Sequence, residues 1–255
     1  MFSKIKRFNP IFLFLDYDGT LVGFKKNPED AVPSIKVKKL ISGLANIPKI
    51  VLTIVSGRTI YSLLDFFQDL KTETINWSGV HGGQIKYAGS EISMPAKIKN
   101  ALPGIASLKE KVTKIINNIP CYTIEDKGLS FALHYRRCGD KDLVHLRKIN
   151  SILFDYVKGR PVELMQMKKV VEVKPKGINK GDAVGTINRK YKKNISSLNI
   201  CLGDDATDEY LFKSNASGIN IKVGESEYLD SKAEYYLKDI KEVHKFLGML
   251  YNVLK

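Results

Sequence analysis

An apolar run leads directly into two aspartates in the segment IFLFLDYDGT, residues 11–20. Residues 11–15 carry no alternating polar side chains, which is typical of a strand buried on both faces of a parallel sheet. Asp16 and Asp18 would then lie at the carboxyl end of that strand, where open α/β sheets bind their ligands. Gly19 permits a sharp turn after them. The segment predicts an α/β core with carboxylates at one sheet edge, although an ordinary Asp-Gly turn after a strand shows the same pattern.

Strands and helices alternate along the rest of the chain. Residues 49–55 and 199–202 form two further apolar runs that predict buried strands. Apolar side chains at helical spacing form three sets: Val37, Leu40, Ile41 and Leu44; Ile60, Leu63, Leu64 and Phe67; and Val243, Phe246, Leu247 and Leu250. This alternation predicts a doubly wound, Rossmann-like parallel sheet with helices packed on it.

The stretch from His81 to Lys174 is too long for one crossover, because a whole strand-helix-strand unit needs only about 30 residues. Its pattern of one helix followed by two strands occurs twice. We therefore predict an inserted α+β cap domain, residues 83–174, with a four-stranded, largely antiparallel sheet and two helices on one face. Residues 1–82 and 175–255 would form the catalytic core.

The predicted cap sheet has one apolar and one polar face. Alternation places Phe131, Leu133, Tyr135, Val171 and Val173 on the apolar face, and His134, Arg136, Glu172 and Lys174 on the polar face. The apolar face would pack on the two helices. The polar face would suit an anionic ligand rich in hydroxyl groups, but an antiparallel sheet with one face in water has the same pattern.

Bulk properties narrow the functional class only slightly. The formal charge of +14 on 255 residues favours anionic ligands of every kind. Because the lysines are scattered, we expect no nucleic-acid partner, and no apolar run reaches the roughly 20 residues that cross a bilayer. Cys121, Cys138 and Cys201 form an odd set without metal-site spacing, which argues against a secreted disulfide framework. We expect a cytoplasmic monomer.

A second acidic segment, GDDATDE at residues 203–209, follows one of the predicted strands. Asp204 could complete a metal site with Asp16 and Asp18, because hard divalent ions such as Mg²⁺ prefer oxygen ligands. Asp208 would fall in the first turn of the next helix. An acidic residue is favoured there by the helix dipole alone, so a metal role and a helix-start role are equally compatible with the sequence.

Two further segments combine polar side chains with the start of a predicted helix. In VSGR, residues 55–58, the Ser56 hydroxyl and free backbone N–H groups would form a phosphate cradle, unless Ser56 only caps the helix. In NKGD, residues 179–182, Lys180 could neutralise a phosphoryl oxygen, unless it is an ordinary surface lysine.

Together, in this order and spacing, the four segments resemble the haloacid dehalogenase superfamily of phosphatases. The resemblance implies that Asp16 is a nucleophile that becomes an aspartyl phosphate, and that Asp18 protonates the leaving alcohol and later activates water. The implied Mg²⁺ ligands are the Asp16 carboxylate, the Asp18 carbonyl and Asp204, supported by Asp208. Ser56 and Lys180 would bind the phosphoryl oxygens.

Within that superfamily the chain resembles the trehalose-6-phosphate phosphatases nearly end to end. The resemblance rests on Tyr17, on residues 80–82, 127–136 and 172–175, and on the GDDATDE segment. It implies a small-molecule sugar phosphate as substrate. The implied substrate-binding residues are Tyr17, Gly57, Arg58, His81, Gly82, Lys127, His134, Arg136, Glu172, Lys174, Asn179 and Asp205. The chain departs from the usual family pattern at Ser56 for Thr, Val80 for Glu and Lys174 for Arg.

Other functions stay open at this point. The same chemistry could act on another sugar phosphate, such as a glycosylglycerate, sucrose or hexose phosphate. A sugar phosphomutase would form the same aspartyl phosphate but return it to a sugar, so it would release no free phosphate. A non-catalytic nucleic-acid or sugar-binding protein would fit the charge, but Asp16, Asp18, Ser56, Lys180 and Asp204 argue against it.

Overall fold

The computed structural model describes residues 2–25, 27–167, 169–191, 194, 196–224 and 231–255. The chain divides into two compact units. Residues Met1–Ser93 and Asn179–Lys255 form the first, which we call the core unit, and Met94–Ile178 form the second, which we call the inserted unit. In the described part of the chain no helix combines the length and the apolar character needed to cross a membrane.

The core unit contains a single eight-stranded sheet. Its strands are β1 (Ile11–Asp16), β2 (Ile50–Val55), β3 (Asn76–Gly79), β4 (Gln84–Lys86), β5 (Ile92–Ser93), β10 (Leu198–Gly203), β11 (Ile219–Val223) and β12 (Tyr235–Leu237). They are ordered β12-β11-β10-β1-β2-β3-β4-β5, and all neighbours are parallel except β3-β4 and β4-β5. The predicted parallel sheet is confirmed, with two antiparallel strands added at one edge.

Helices cover both faces of this sheet. They are α1 (Phe2–Ile5), α2 (Ile35–Ala45), α3 (Ile60–Phe66), α6 (Gly181–Lys190), α7 (Asp208–Ser214) and α8 (Ile240–Leu254). Leu13 of β1 belongs to a buried cluster with Leu247 of α8, whereas its neighbour Phe14 belongs to a second cluster with Phe212 of α7. Successive residues of the central strand thus pack against opposite helix layers, so the core is doubly wound, as predicted.

Side-chain caps fix where several of these helices begin. Ser34, Thr59 and Asp239 accept hydrogen bonds from the backbone N–H groups of Val37, Ser62 and Glu242, at the starts of α2, α3 and α8. Each bond satisfies one of the N–H groups that a helix start leaves without a partner. Because Thr59 caps α3, the interpretation of Ser56 as the cap of that helix was wrong.

The strand register brings three catalytic candidates to one edge of the sheet. Asp16 pairs with Val55, so Ser56 follows β2 at the level where β1 ends. Leu15 pairs with Leu202, so Asp204 follows β10 at the same edge. Parallel strands end on the same side of a sheet, and this side is where doubly wound folds bind ligands.

The inserted unit is an α+β structure of two helix-strand-strand repeats. It contains α4 (Leu102–Ile116), β6 (Thr123–Asp126), β7 (Phe131–His134), α5 (Leu143–Val157), β8 (Val162–Met167) and β9 (Val170–Pro175). The strands form an antiparallel sheet in the order β6-β7-β9-β8. Phe131, Leu133, Val171 and Val173 pack in one buried cluster with Leu108 and Leu153 of the helices, which confirms the predicted apolar face.

Three details of this unit differ from the sequence predictions. Its bounds are 94 and 178 rather than 83 and 174, because β4 and β5 extend the core sheet through β3. Strand β7 ends at His134, so Arg136 lies in the turn after it, exposed to solvent. A disulfide joins Cys121 to Cys138, while Cys201 is buried on β10.

The spacing of the cysteines does not reveal this disulfide. Cys121 and Cys138 are 17 positions apart, but Thr123 pairs with His134 in the β6-β7 ladder, so the chain enters and leaves the hairpin at one end. The odd count thus contains one bonded pair and one buried thiol. Because disulfides are rare in the reducing cytosol, the cysteines no longer support the predicted cytoplasmic location.

Candidate active site

Three carboxylates converge at the carboxyl edge of the core sheet. Asp16 ends β1, Asp204 follows β10 and Asp208 begins α7, and one oxygen from each lies within 4.8 Å of the others. Asp16 and Asp208 are almost completely buried, with 2% and 0% of their surface exposed. Acidic groups this close and this dry repel one another, so the cluster needs compensating positive charge.

Lys180 supplies part of that charge. It lies immediately before α6, is 3% exposed, and donates hydrogen bonds from Nζ to Asp16 Oδ1 at 2.7 Å and to Asp208 Oδ1 at 2.8 Å. Asp205 Oδ1 is 3.7 Å from the same ammonium group. The interpretation of Lys180 as an ordinary surface lysine was therefore wrong, and Lys180 instead links the acidic segment to the end of β1.

Asp208 holds the acidic loop in shape. Its Oδ2 accepts hydrogen bonds from the backbone N–H groups of Asp204, at 3.0 Å, and Asp205, at 3.1 Å. A Cβ on Gly203 would lie 2.2 Å from the Asp208 carboxyl carbon, so only glycine fits there. Protein donors engage both Asp208 oxygens, which gives this residue a supporting position beside Asp16 and Asp204.

Burial and mutual repulsion set the protonation of the cluster. Burial raises the pKa of Asp16 and that of Asp208 well above the usual value, and Lys180 offsets only part of the increase. Burial, then the charges of Asp208 and Asp205, raise the pKa of Asp204 to about 7. Burial opposes the charge on Lys180, but the neighbouring carboxylates outweigh it and raise the pKa of that ammonium.

The donor set fits a hard divalent cation. Asp16 Oδ2 is buried and accepts no hydrogen bond from any described N–H or O–H group. Thr20 Oγ1 donates to Asp204 Oδ1 at 3.2 Å, which orients that carboxylate beside Asp16. A cation ligated by oxygens would satisfy the open Asp16 oxygen and would offset the burial and the mutual repulsion that raise the pKa values of these carboxylates.

We expect cation binding to stabilise the protein more strongly as pH rises. The native state holds a proton on Asp204 up to about pH 7, whereas the unfolded state loses it near 3.8, so without a cation stability falls between these values. The cost approaches roughly 4 kcal/mol for that group. The unfolding midpoint in excess divalent cation, relative to EDTA, should therefore increase more at pH 7.5 than at pH 5. An equal increase at both pH values would contradict this assignment.

Arg58 binds the second aspartate of the first motif. Its Nε and Nη2 groups each donate to one oxygen of Asp18, both at 2.7 Å. The guanidinium carbon lies 5.5 Å from the ring centre of Tyr17 and 5.2 Å from that of Phe66. This bidentate geometry fixes the orientation of the Asp18 carboxylate next to Asp16.

The Ser56 loop, predicted to be a phosphate cradle, is held in shape by hydrogen bonds within the core unit. Ser56 is buried, its N–H donates to the Ser78 carbonyl at 2.9 Å, and its hydroxyl accepts the Arg58 N–H at 3.1 Å. The imidazole of His81 lies against Gly57, so closely that a Cβ on Gly57 would be 2.6 Å from His81 Nε2. Gly82 lies against the segment of residues 179–182, because a Cβ on Gly82 would be 2.7 Å from the Asn179 carbonyl.

Several predicted substrate-binding side chains have structural roles in the core unit. Tyr17 is fully buried, stacks on Phe66 and donates its hydroxyl to the Ala31 carbonyl at 2.7 Å. Asp205 Oδ1 accepts the N–H of Thr207 and starts α7, and Asn179 Oδ1 accepts the N–H of Gly181 and starts α6. Their roles in substrate binding stay predictions.

In the inserted unit the predicted polar residues form ion pairs. Lys127 Nζ donates to Glu172 Oε2 at 2.8 Å, and Ser130 donates to Glu172 Oε1 at 2.7 Å, all three being buried. His134 Nε2 lies 3.0 Å from Glu125 Oε2. Lys174 pairs with Glu163 and donates to the Ile178 carbonyl at 2.5 Å. Glu172 and Lys174 thus lie within the unit rather than on a wetted face.

Several contributors to these networks were not predicted from the sequence. Thr20 stands in the first motif but was assigned no role, although its hydroxyl holds Asp204. Ser130, Glu125 and Glu163 pair with predicted residues across neighbouring strands. Thr123 is the cross-strand partner of His134, and alternation places Glu125 on the same sheet face as Thr123. The contact between Glu125 and His134 was therefore predictable from the sequence.

The fold is of the haloacid dehalogenase-like class. A solved haloacid dehalogenase-like hydrolase from Bacteroides thetaiotaomicron shares the fold, with a TM-score of 0.69 at 15% identity over 95% of this chain and 99% of that chain. Residues 14–241 match the family model described as trehalose-phosphatase. The chain therefore belongs to the trehalose-phosphatase family.

Two relatives show how far the similarity extends. Trehalose-phosphate phosphatase B from Arabidopsis thaliana is 31% identical over an alignment of 256 positions, which covers 94% of this chain and 66% of that protein. The C-terminal domain of C. albicans trehalose-6-phosphate phosphatase superposes with a TM-score of 0.82 at 26% identity, covering 98% of this chain and 95% of that chain. The chain thus spans about two thirds of the plant relative.

Proposed function

We propose that this protein hydrolyses trehalose 6-phosphate to trehalose and inorganic phosphate. The observation that carries the proposal is the buried Asp16 carboxylate, with one oxygen held by Lys180 and the other accepting no hydrogen bond from a described group. Membership of the trehalose-phosphatase family and the name of the Arabidopsis relative support the substrate.

In the proposed reaction Asp16 attacks phosphorus, the bond from phosphorus to the sugar oxygen breaks, and Asp18 donates a proton to that oxygen. Water then attacks the aspartyl phosphate, Asp18 takes a proton from the water, and Asp16 is restored as inorganic phosphate leaves. Lys180 and Ser56 hold the phosphoryl oxygens during both steps. The 2.7 Å bonds from Arg58 support the second step, because they orient the Asp18 carboxylate that accepts the proton of water.

We propose Mg²⁺ as the cation, with ligands from the Asp16 carboxylate, the Asp18 carbonyl and Asp204. Mg²⁺ favours oxygen donors and would neutralise charge on the transferring phosphoryl group. Asp208 supports this set through its hydrogen bonds to the backbone of Asp204 and Asp205.

We assign recognition of the sugar to the inserted unit. Its candidate contacts are Lys127, His134, Arg136, Glu172 and Lys174. His134 and Arg136 support this assignment, because they are partly exposed and exposed, respectively, and can therefore meet a ligand.

A panel of phosphate esters tests the substrate and the cofactor separately. We expect phosphate release from trehalose 6-phosphate to exceed that from glucose 6-phosphate and sucrose 6-phosphate by at least tenfold in kcat/KM, and EDTA to abolish release until Mg²⁺ is restored. If the hexose phosphate is hydrolysed equally well, the disaccharide assignment fails and the phosphatase assignment stands. Transfer between sugars without free phosphate would identify a mutase instead.

A further inference from the structure

Three consecutive residues at the end of β3 have left-handed backbone conformations. Val80, His81 and Gly82 have φ values of 48°, 53° and 93°. Glycine adopts such values readily, but a β-branched residue such as valine does so rarely, because its Cβ crowds the backbone. Backbone strain of this kind is retained where surrounding contacts enforce it, and it is concentrated at functional sites.

Hydrogen bonds to the Ser56 loop enforce this turn. The N–H of Val80 donates to the Arg58 carbonyl at 2.8 Å, and the N–H of His81 donates to the Ser56 carbonyl at 3.0 Å. A Cβ on Gly79 would lie 2.8 Å from the same Arg58 carbonyl, so the two segments are in close contact. The strained turn is therefore fixed directly to the segment of the predicted phosphate cradle.

The turn places the imidazole of His81 against Gly57 of the Ser56 loop. Its Nε2 and Cε1 atoms would lie 2.6 and 2.7 Å from a Cβ on Gly57, and the side chain is buried, with 6% exposed. The next residue, Gly82, lies against the segment that carries Lys180, because a Cβ on Gly82 would be 2.7 Å from the Asn179 carbonyl. The imidazole thus packs on the loop of Ser56, and its turn borders the segment of Lys180. These are the two residues that the proposed function assigns to the phosphoryl oxygens.

We propose that His81 contacts the transferring phosphoryl group, not the sugar, and that the strained turn serves to hold it there. This inference rests on the proposed phosphatase activity but not on the identity of the sugar. A side chain that packs on Gly57 stays beside the Ser56 loop. It should therefore contribute equally to the hydrolysis of every phosphate ester, whatever its alcohol. Glycine is then required at position 57, because a Cβ there would occupy the space of the His81 imidazole.

The test compares His81→Ala with His145→Ala, a partly exposed histidine of the inserted unit. Substrates are trehalose 6-phosphate and p-nitrophenyl phosphate, and vanadate binding is measured by calorimetry. We expect His81→Ala to lower kcat/KM by about 10²-fold for both esters, the effect of losing one donor to a transition-state oxygen, and to weaken vanadate binding at least tenfold. His145→Ala should leave all three values unchanged.

His81→Asn is a smaller side chain that still carries a hydrogen-bond donor. Equal unfolding midpoints for the wild type, His81→Ala and His81→Asn exclude misfolding as the cause of the loss. His81→Asn should recover part of the loss for both esters. A loss confined to trehalose 6-phosphate, with vanadate binding intact, would place His81 at the sugar and overturn the proposal. If trehalose 6-phosphate proves not to be a substrate, the p-nitrophenyl phosphate and vanadate measurements still decide the role of His81.

Discussion

Asp16→Asn is expected to abolish turnover, with kcat falling by about 10⁴-fold or more, because an amide cannot form the phosphoryl intermediate. The substitution keeps the shape of the side chain, and its oxygen can still accept the hydrogen bond from Lys180. It also removes a carboxylate whose pKa is raised chiefly by burial. Without metal, the unfolding midpoint of Asp16→Asn should therefore be at least as high as that of the wild type. Adding Mg²⁺ should increase the midpoint of the variant less than that of the wild type.

Asp65→Asn provides the matched control, since Asp65 is exposed on α3. It should show wild-type turnover and a wild-type response to Mg²⁺. Acid-quenched reactions with a radiolabelled phosphate ester should trap label on the wild type and on the control but not on Asp16→Asn. Turnover of Asp16→Asn at the wild-type rate would show that another group accepts the phosphoryl group.

The centre of the fold was predictable because its strands are buried on both faces. β1, β2 and β10 are therefore mostly apolar, with Thr53 in β2 and Asn199 in β10 as single interruptions, and such runs are visible in a sequence. β3 was not predicted, because Asn76 and Ser78 interrupt its apolar character. Asn76 is nevertheless buried, and its amide donates to the Leu52 carbonyl at 3.0 Å. A polar side chain satisfied inside the fold hides a strand from a pattern based on hydropathy.

The site was predictable only where it follows strand ends. Ser56 and Asp204 could be placed beside Asp16 because parallel strands end at one edge. The contact of Arg58 with Asp18 joins residues 40 positions apart, and the left-handed turn at His81 depends on hydrogen bonds to another loop, so neither has a local sequence signal. Tyr17 is different. It lies two residues after Leu15 and shares its buried cluster, so alternation alone predicts a core position.

Lys180→Met is expected to affect both catalysis and stability. Lys180 is the ammonium that faces Asp16 and Asp208, and methionine fills a similar volume without donating a hydrogen bond. Loss of charge stabilisation at the phosphoryl oxygens should lower kcat by about 10³-fold. Removing one partner from a buried ionic group costs about 3–5 kcal/mol in the free energy of unfolding, because the remaining charges stay buried without compensation.

The pH dependence of that loss separates charge from packing. The pKa of Lys180 is raised in the folded state, so its stabilising contribution is fully present below the unfolded value of 10.5. The pKa values of Asp16 and Asp208 are also raised, so acid protonates both carboxylates and removes the need for their partner. Denaturant titrations of the metal-free proteins should therefore show a larger destabilisation by Lys180→Met at pH 7.5 than at pH 5.

Lys245→Ala, at an exposed position on α8, should show little destabilisation at either pH. A loss that stays constant with pH would assign the effect to packing and would place the compensating charge for Asp16 on another group.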